Sequence, residues 1–523
     1  MKRTLMHFGI TAALLGGPAV EAQEPVHWDV VARIREEGFQ RSQVMSLAWY
    51  MTDVLGPRLT GSPGMRRAER WAKTTMDSLG LSNTTIEPFG PHGVGWTNEY
   101  TSLHLLAPSY QPLIGYPQAF TPGTAGRVTG SGQIVTIRTA ADLDRYRGKL
   151  RGAIVLATPP VAAPSRFTAD AERWSADSLS QMERATIAAR YGIDGVEYAW
   201  DSVQKTFSPV GSQARPAVSP EAILAFFKAE GVAAVLEAGA GGDGTVFLVG
   251  RAGSRQDRSH AGVLRSLPVI SLAAEHYNRL YRLAERGIPP RLELEVRNQL
   301  DTTETRGFNI LGDLPGTDLA DQLVMVGGHL DSWHAATGAT DNAAGCAVVL
   351  EAIRILRALG IRPRRTIRVG LWSYEEGGVV GSRSYVANHF GDQSRKTTSY
   401  DKLSVYLNVD NGTGQFRGVY LQGNERVRPI FAEWMKPFAD LGMSTLTINN
   451  TYGVDIIGFD VAGLPAFQFI QDPIAYETRT HHSNMDVYDK LVPEDLRRNA
   501  VILASFLYHA AMRDDPFPRE SHR

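Results

Sequence analysis

The C-terminal half of the sequence alternates short apolar segments with longer stretches in which apolar residues recur every three or four positions. The short segments have the length of buried strands, and the longer ones have helical periodicity. Strands that alternate with helices form mostly parallel sheets. We therefore predict an α/β fold with a mostly parallel mixed central sheet flanked by helices. The predicted strands are Val324–Val326, Thr366–Trp372, Val405–Val409 and Ala466–Ile470, and the predicted helices are Ala343–Leu359 and Leu496–Met512.

The N-terminal part predicts two further helices and then a change of texture. One helix covers Ser42–Leu55, and the next begins after the cap residue Ser62, with Pro63 in its first turn. From 122 to 262, glycine and alanine become frequent and short β-like runs alternate with one helix, Leu179–Tyr191. We predict that residues 122–262 form an inserted β-rich α+β accessory domain, and that residues 23–121 and 263–523 form the main domain.

Composition excludes several function classes. The chain has 54 Lys and Arg against 55 Asp and Glu, a formal net charge of −1, which argues against nucleic-acid binding and against charge-driven membrane binding. Cys346 is the single cysteine, so an intrachain disulfide and a cysteine-based zinc site are both impossible. Any metal ion would have to be held by His, Asp and Glu.

The first 22 residues have the pattern of a secretory signal peptide. Lys2 and Arg3 give a basic start, an apolar stretch follows, and Ala22 ends a small-residue cleavage motif. The apolar stretch is too short to cross a bilayer, and no other run of that kind occurs. We expect a soluble protein that is secreted or periplasmic after the signal peptide, residues 1–22, is removed.

Metal-ligating side chains follow the first predicted strand of the sheet. His329 comes directly after it, and Asp331 is close enough in sequence to fix the tautomer of the His329 ring. Asp341 precedes the Ala343–Leu359 helix, where a carboxylate can bridge two cations. The carboxyl ends of parallel strands are where α/β proteins build their sites.

Further Asp, Glu and His residues follow the later predicted strands. Glu375 and Glu376 follow one strand, and because they point differently, one can bind metal while the other faces an attacking water. Asp410 follows the next strand, and His482 comes after the last. A single Asp after a strand usually caps a helix or forms a turn, but this many at successive strand ends predict a metal site.

These motifs resemble the co-catalytic di-zinc exopeptidase family. The resemblance rests on His329-Leu330-Asp331-Ser332, Gly338-Ala339-Thr340-Asp341-Asn342, Glu375-Glu376-Gly377, Asn408-Val409-Asp410 and His482-Ser483. The Leu59–Gly64 opening and the His481-His482-Ser483 run most resemble the carboxypeptidase Q branch, and residues 122–262 resemble a protease-associated domain.

The resemblance implies two Zn²⁺ per chain and a role for each residue. His329, Asp341 and Asp410 would bind one zinc ion, and Asp341, Glu376 and His482 the other, with the Asp341-Asn342 peptide in the cis form. Glu375 would be the general base, and Asp331 would support His329. His482 is preferred over His481 because it sets the His-Ser-x-x-Asp spacing, and His481 remains the alternative.

Other residues near these motifs have two interpretations. Trp333 and His334 either line a substrate pocket or are buried in the core, and Tyr452 and Asp455 are candidate substrate-side residues. Cys346 lies within an apolar helix and is expected to be a small buried residue.

The implied function is a secreted exopeptidase of aminopeptidase or dipeptidase type, acting on a peptide or dipeptide. Members of this family often form homodimers, although the sequence itself indicates no interface. Two alternatives stay open: a non-catalytic, receptor-like binding protein, and a metal enzyme of altered chemistry such as a glutaminyl cyclase or an amidohydrolase. A cyclase of this kind would bind one zinc ion rather than two.

Overall fold

The structure of the protein, a computed structural model, describes residues 24–186, 198–201, 206–209, 217–248, 258–451 and 453–519. The predicted signal peptide, residues 1–22, and the candidate residue Tyr452 lie outside the described residues. Among the described residues, no helix is long and apolar enough to cross a membrane.

The described residues form α-helices and β-strands in an alternating order. The helices are α1 Trp28–Gln40, α2 Val44–Trp49, α3 Pro63–Ser78, α4 Ala140–Tyr146, α5 Ala176–Glu183, α6 Pro220–Ala229, α7 His260–Arg265, α8 Ala274–Glu285, α9 Ala344–Ala358, α10 Val380–His389, α11 Arg428–Met435, α12 Ile457–Val461 and α13 Pro493–Met512. The strands are β1 Ser82–Phe89, β2 Gly95–Ala107, β3 Gln111–Pro112, β4 Gly115–Pro117, β5 Val128–Ile134, β6 Ile154–Leu156, β7 Tyr198–Asp201, β8 Thr206–Pro209, β9 Ala234–Ala238, β10 Val269–Leu272, β11 Arg291–Asp301, β12 Gly307–Leu314, β13 Leu319–His329, β14 Arg365–Trp372, β15 Leu403–Asn408, β16 Phe416–Tyr420, β17 Thr445–Thr447 and β18 Ala466–Gln471.

The main sheet has eight strands in the order β1-β12-β14-β13-β15-β18-β16-β17. Its four central strands, β14, β13, β15 and β18, are parallel to one another, whereas β12 and β16 pair antiparallel with the outer two of these. The predicted α/β fold with a mostly parallel mixed sheet is therefore confirmed. The four predicted strands and both predicted helices of the C-terminal half are all present, with ends that differ by a few residues.

Helices cover both faces of the main sheet because successive strand residues point to opposite faces. Val324 and Val326 of β13 are fully buried in the larger core, which also contains α1, α2, α3, α9 and α13 side chains. Met325, between them, is buried in a second core with α10 and α12 on the other face. A strand with apolar residues on both faces reads as a continuous apolar run, which is the pattern that predicted the parallel strands.

A second eight-stranded sheet is formed by residues that lie between β1 and β12 of the main sheet in sequence. Its order is β3-β2-β11-β5-β6-β9-β10-β4, with parallel pairing from β5 to β10 and antiparallel pairing elsewhere. We call residues 95–301 the second-sheet region. The predicted accessory segment, 122–262, supplies β5, β6 and β9 of this sheet, whereas β2, β10 and β11 come from outside that segment.

Local predictions in the N-terminal part have mixed outcomes. Ser62 caps α3, and its hydroxyl accepts a hydrogen bond from the Met65 amide. The predicted helix Ser42–Leu55 is α-helical only to Trp49 and continues as a π-helix to Leu55. The helix predicted at Leu179–Tyr191 is observed as α5, which begins three residues earlier and ends at Glu183, and residues 187–191 of the predicted helix lie outside the described residues.

A buried histidine on α13 is held in its neutral form. The His509 Nδ1–H donates to the Ser505 carbonyl at 2.7 Å, and its Nε2 accepts from the His27 amide at 3.1 Å. Burial lowers the pKa of His509 to about 4. Protonating Nε2 would remove an acceptor and put a charge in the core.

We expect His509 to make the protein less stable as the pH falls from about 6.5 to 4. In the unfolded chain the ring takes up a proton near its ordinary pKa, whereas in the folded protein its pKa is lowered to about 4. The contribution of the neutral ring to the free energy of unfolding is therefore fully present above pH 6.5 and is lost as the pH falls toward 4. The shift corresponds to about 3 kcal/mol. The melting temperature of His509→Gln should therefore fall less between pH 7 and pH 4.5 than that of the wild type. A variant of the exposed His260 is the control, and its melting temperature should fall as much as that of the wild type. Equal losses in all three proteins would contradict this.

Candidate metal centre

Three of the predicted site residues follow neighbouring parallel strands at one edge of the main sheet. His329 is the last residue of β13 and lies opposite Trp372, the last residue of β14. Glu375 follows β14 by three residues, and Asp410 follows β15 by two. Because β13 pairs with β14 on one side and β15 on the other, these side chains meet above β13.

Asp341 reaches the same edge from the connection between β13 and α9. It lies in a π-helical turn, Ala339–Ala343, which begins after Gly338 in the left-handed conformation (φ 59°). The Asp341–Asn342 peptide is cis, as predicted. The Asn342 amide group donates to the Val409 carbonyl at 2.8 Å, which ties this turn to the end of β15.

The Asp486 carboxylate holds the main chain on the N-terminal side of Asp341. Its Oδ1 accepts from the Thr340 amide at 2.6 Å and from the Thr340 hydroxyl at 2.8 Å, and its Oδ2 accepts from the Asp341 amide at 3.2 Å. Burial raises the pKa of Asp486 to about 6. Asp486 follows His482 closely in sequence, so it joins the last predicted motif to the first.

The predicted ligands converge on Asp341. The His329 Nε2 lies 3.1 Å from Asp341 Oδ1 and 3.3 Å from Asp410 Oδ1. On the other side, the His482 Nε2 lies 3.2 Å from Asp341 Oδ2 and 2.9 Å from Glu376 Oε2. The two oxygens of one carboxylate therefore face two separate groups of potential ligands.

The two neighbouring histidines are not equivalent in this arrangement. The His481 Nε2 is 4.0 Å from Asp341 Oδ2, and its Nδ1 is 3.3 Å from the Glu477 carboxylate. Its ring stacks on Tyr476, with the ring centres 4.5 Å apart. His481 remains within reach of Asp341, but His482 is nearer and also contacts Glu376, which favours His482 as the ligand.

Burial and charge make this cluster suited to divalent cations. Asp341 and Asp410 are each 4% exposed, and Asp341 Oδ2 and both Glu376 oxygens receive no hydrogen bond from any described residue. Burial raises the pKa of Glu376 and of Asp410, and the neighbouring Asp341 charge adds to both shifts. Buried carboxylates of this kind are normally paired or bind metal, and a His, Asp and Glu donor set is one that zinc accepts.

Glu375 and Asp331 are linked behind the cluster. The Asp331 Oδ1 accepts from the Glu375 amide at 3.2 Å, and its Oδ2 accepts from the Thr60 hydroxyl at 2.7 Å. The His329 Nδ1 lies 3.0 Å from the Asp331 main-chain carbonyl and 3.7 Å from its carboxylate. The Asp331 main chain thus contacts the histidine, while its side chain orients the turn that carries Glu375.

The Glu375 carboxyl is almost fully buried, at 9% exposure. Burial, opposed in part by the positive charge of His329, raises the pKa of Glu375 well above its usual range. Tyr374, just before it, has a left-handed main chain (φ 64°), and its amide donates to the Thr60 hydroxyl at 3.1 Å. The Thr60 hydroxyl therefore binds both Asp331 and Tyr374, the two residues that position the Glu375 main chain.

Sequence reasoning missed Arg58. Its side chain is fully buried, and its guanidinium donates to the carbonyls of Leu330, Thr337 and Gly338 at 2.8, 2.7 and 2.8 Å. The loop between His329 and Asp341 is thus fastened at both ends to one side chain. A lone arginine outside the motifs gives no signal of this role in the sequence.

The remaining candidates lie at different depths. Trp333 is 6% exposed and its ring packs edge-on against His482, with the centres 5.9 Å apart. The His334 Nε2–H donates to the Pro117 carbonyl at 2.8 Å, and burial lowers its pKa to about 4. Asp455 is fully buried and accepts from the Ser382 hydroxyl at 2.5 Å. Cys346 is buried as expected.

Comparison with known proteins identifies the region that carries this cluster. Residues 309–507 match the model of peptidase family M28. The matched span contains His329, Asp341, Glu376, Asp410 and His482, so the resemblance to zinc exopeptidases that these motifs indicated is confirmed.

Two curated relatives differ in how much of the chain they match. Carboxypeptidase Q of Mus musculus is 25% identical over 473 residues, which cover 90% of this chain and 86% of that protein. Leupeptin-inactivating enzyme 1 of Streptomyces exfoliatus is 38% identical over 161 residues, covering 30% of this chain and 34% of that protein.

Solved structures share the fold along nearly the whole chain. A peptidase M28 precursor from Shewanella amazonensis SB2B is 22% identical and superposes with a TM-score of 0.64, covering 94% of this chain and 99% of that one. A zinc aminopeptidase from Bacillus subtilis is 17% identical, with a TM-score of 0.54 over 91% of this chain and 97% of that one.

The different distances of the two histidines predict different effects of removing them. His482→Ala should weaken the binding of one zinc ion by at least tenfold, because it removes the nitrogen nearest to Glu376 and Asp341. His481→Ala should leave zinc binding within about twofold of the wild type. Zinc titration against a chromophoric chelator measures both. A larger loss in His481→Ala than in His482→Ala would reverse the assignment.

Proposed function

We propose that the chain is a secreted di-zinc exopeptidase of aminopeptidase or dipeptidase type. The observation that carries this proposal is the position of Asp341, whose two carboxylate oxygens each face a separate histidine at 3.1 and 3.2 Å. A bridging carboxylate between two ligand groups is the arrangement that a two-metal site requires. His329 and Asp410 would complete one site, and Glu376 and His482 the other.

The peptidase activity of the relatives supports the substrate class. The family match and the names of the relatives, a carboxypeptidase and a zinc aminopeptidase, support a metallopeptidase that acts on peptides. We also propose residues 1–22 as a signal peptide and 122–262 as a protease-associated domain within the second-sheet region, with 23–121 and 263–523 as the peptidase domain.

The protein residues divide the work of hydrolysis. Two zinc ions, when bound, would supply Lewis acidity that polarises the scissile carbonyl and lowers the pKa of a water molecule. The Glu375 carboxylate removes a proton from the attacking water and transfers it to the leaving amine, so no covalent enzyme intermediate forms. The Asp331 carboxylate fixes the Glu375 main chain at 3.2 Å during these steps.

The solvent-facing side of the centre is formed by the two histidines. The His481 and His482 side chains are 23% and 21% exposed, whereas those of His329, Asp341, Glu376 and Asp410 are 5% exposed or less. A peptide would approach from this side, with Trp333 behind His482. Access from one side to a buried centre is consistent with cleavage near a chain end.

Replacement of Glu375 tests the proposed chemistry. Glu375→Gln should lower kcat for aminoacyl p-nitroanilides and dipeptides by about 10²–10⁴-fold, because proton transfer is lost while the carboxamide keeps the shape of the side chain. Zinc content should remain near two per chain in both proteins, since Glu375 is not a ligand. Mass spectrometry of the metal and steady-state kinetics measure the two quantities.

The exposed Glu494 provides a matched control, because its carboxylate pairs with the surface residues Arg497 and Arg498, away from the metal centre. Glu494→Gln should leave kcat and zinc content unchanged. A wild-type protein that binds about one zinc ion would favour the cyclase alternative, and one that binds no zinc and cleaves no peptide would favour the receptor-like alternative.

A further inference from the structure

The second-sheet region contacts the main chain of His482 directly. The Leu248 amide donates to the His482 carbonyl at 2.9 Å. Phe247 forms an antiparallel bridge with Ser483, the next residue. Val246 and Leu248 are fully buried, so solvent does not compete for these hydrogen bonds.

Asn484 joins the same two segments through its side chain. Its Oδ1 accepts from the Val246 amide at 2.7 Å, and its Nδ2 donates to the Gly244 carbonyl at 3.1 Å. Its own amide also donates to the Val246 carbonyl at 3.3 Å. One carboxamide thus satisfies a donor and an acceptor of the 244–248 main chain.

Arg479 fastens the other end of this segment to the second-sheet region. Its guanidinium donates to the Gly242 carbonyl at 3.3 Å and to the Thr245 hydroxyl at 2.9 Å. It also pairs with Asp170, and with Asp243 at 3.2 Å. The residues that bracket His482 in sequence are therefore both held by the second-sheet region.

His482 needs such support because its main chain is in the left-handed region, with φ at 57°. A non-glycine residue in that conformation is strained and persists only where its surroundings hold it. The ring nitrogen that contacts Asp341 and Glu376 is reached from this main-chain conformation. A relaxed main chain would turn the ring away from both carboxylates.

We infer that Asn484 is a positioning residue for the metal centre, acting through the His482 main chain. With residues 244–248, it holds His482 in the conformation that directs Nε2 toward Asp341 and Glu376. This inference rests on the proposed di-zinc centre and adds that the second-sheet region forms part of it. One zinc site then depends on contacts between the second-sheet region and the 482–484 segment, whereas the described contacts of His329 and Asp410 lie outside the second-sheet region.

Two substitutions of Asn484 test this inference. Asn484→Ala removes both side-chain hydrogen bonds. Asn484→Asp keeps the size and the acceptor for the Val246 amide, but it sets a carboxylate oxygen opposite the Gly244 carbonyl. Both variants should bind one of the two zinc ions about 10–100-fold more weakly, because losing a residue that supports a metal ligand has an effect of this size. The affinity for the other zinc ion should not change. Competition with a chromophoric chelator, using the full chain, resolves the two affinities.

Arg173→Gln is the matched control, since Arg173 also belongs to the second-sheet region and contacts the main domain elsewhere. Its guanidinium pairs with Asp472 and Asp495, both at 2.8 Å, and not with the 482–484 segment. This variant should keep both zinc affinities. Melting temperatures of all variants identify any that fail to fold, and Asn484→Asp, which keeps one of the two hydrogen bonds, then carries the test.

The outcomes separate the inference from the proposed function. If the wild type binds two zinc ions and both Asn484 variants match it within twofold, the positioning role is wrong and the di-zinc proposal stands. If Arg173→Gln weakens the same zinc ion equally, the effect is general destabilisation and the positioning role is again wrong. If the wild type binds no zinc, the proposed function fails, and the inference fails with it.

Discussion

The parallel pairing of β13 with its two neighbours is the constraint on which the candidate site depends. It brings the residues after β13, β14 and β15 to one edge of the main sheet, where His329, Glu375 and Asp410 meet. Antiparallel pairing would have sent alternate strand ends to opposite edges. The apolar residues on both faces of β13 bury this strand at the centre of the sheet, so the same pattern that forms the core also brings the site residues to one edge.

Burying several carboxylates together is unfavourable, and contacts to the main chain of the surrounding loops hold these carboxylates in place. Arg58 holds the loop between His329 and Asp341 by three carbonyls, and Asp486 holds the Thr340 and Asp341 amides. These contacts are to the main chain, so they fix where the carboxylates point without neutralising them. The negative charge is thereby left available for cations, and the preorganised loops need not be ordered when cations bind.

The sequence predicted the parts of this molecule that depend on local pattern. The central strands, α9 and α13 follow from apolar periodicity, and the residues that cluster around Asp341 follow from position after strands and from motif resemblance. Arg58 and Thr60 were not assigned roles, because the residues of the site that they contact lie more than 250 residues away in the chain and no local spacing marks such contacts. The second sheet also takes β2 and β11 from outside residues 122–262, and the pairing of these two distant strands is not marked by any local pattern.

The contact between the second-sheet region and the His482 segment means that this region supports a ligand candidate of the metal centre. A covering domain that only limited substrate size could move or be removed without altering the metal ligands. Here the main chain of one ligand candidate is bound by Leu248, and its neighbour Asn484 is bound by Val246 and Gly244. A motion that separated the sheets would therefore disturb His482 before it disturbed His329 or Asp410. The two halves of the centre thus differ in what holds them, because the His482 segment is bound by the second-sheet region and the described contacts of His329 and Asp410 lie outside that region.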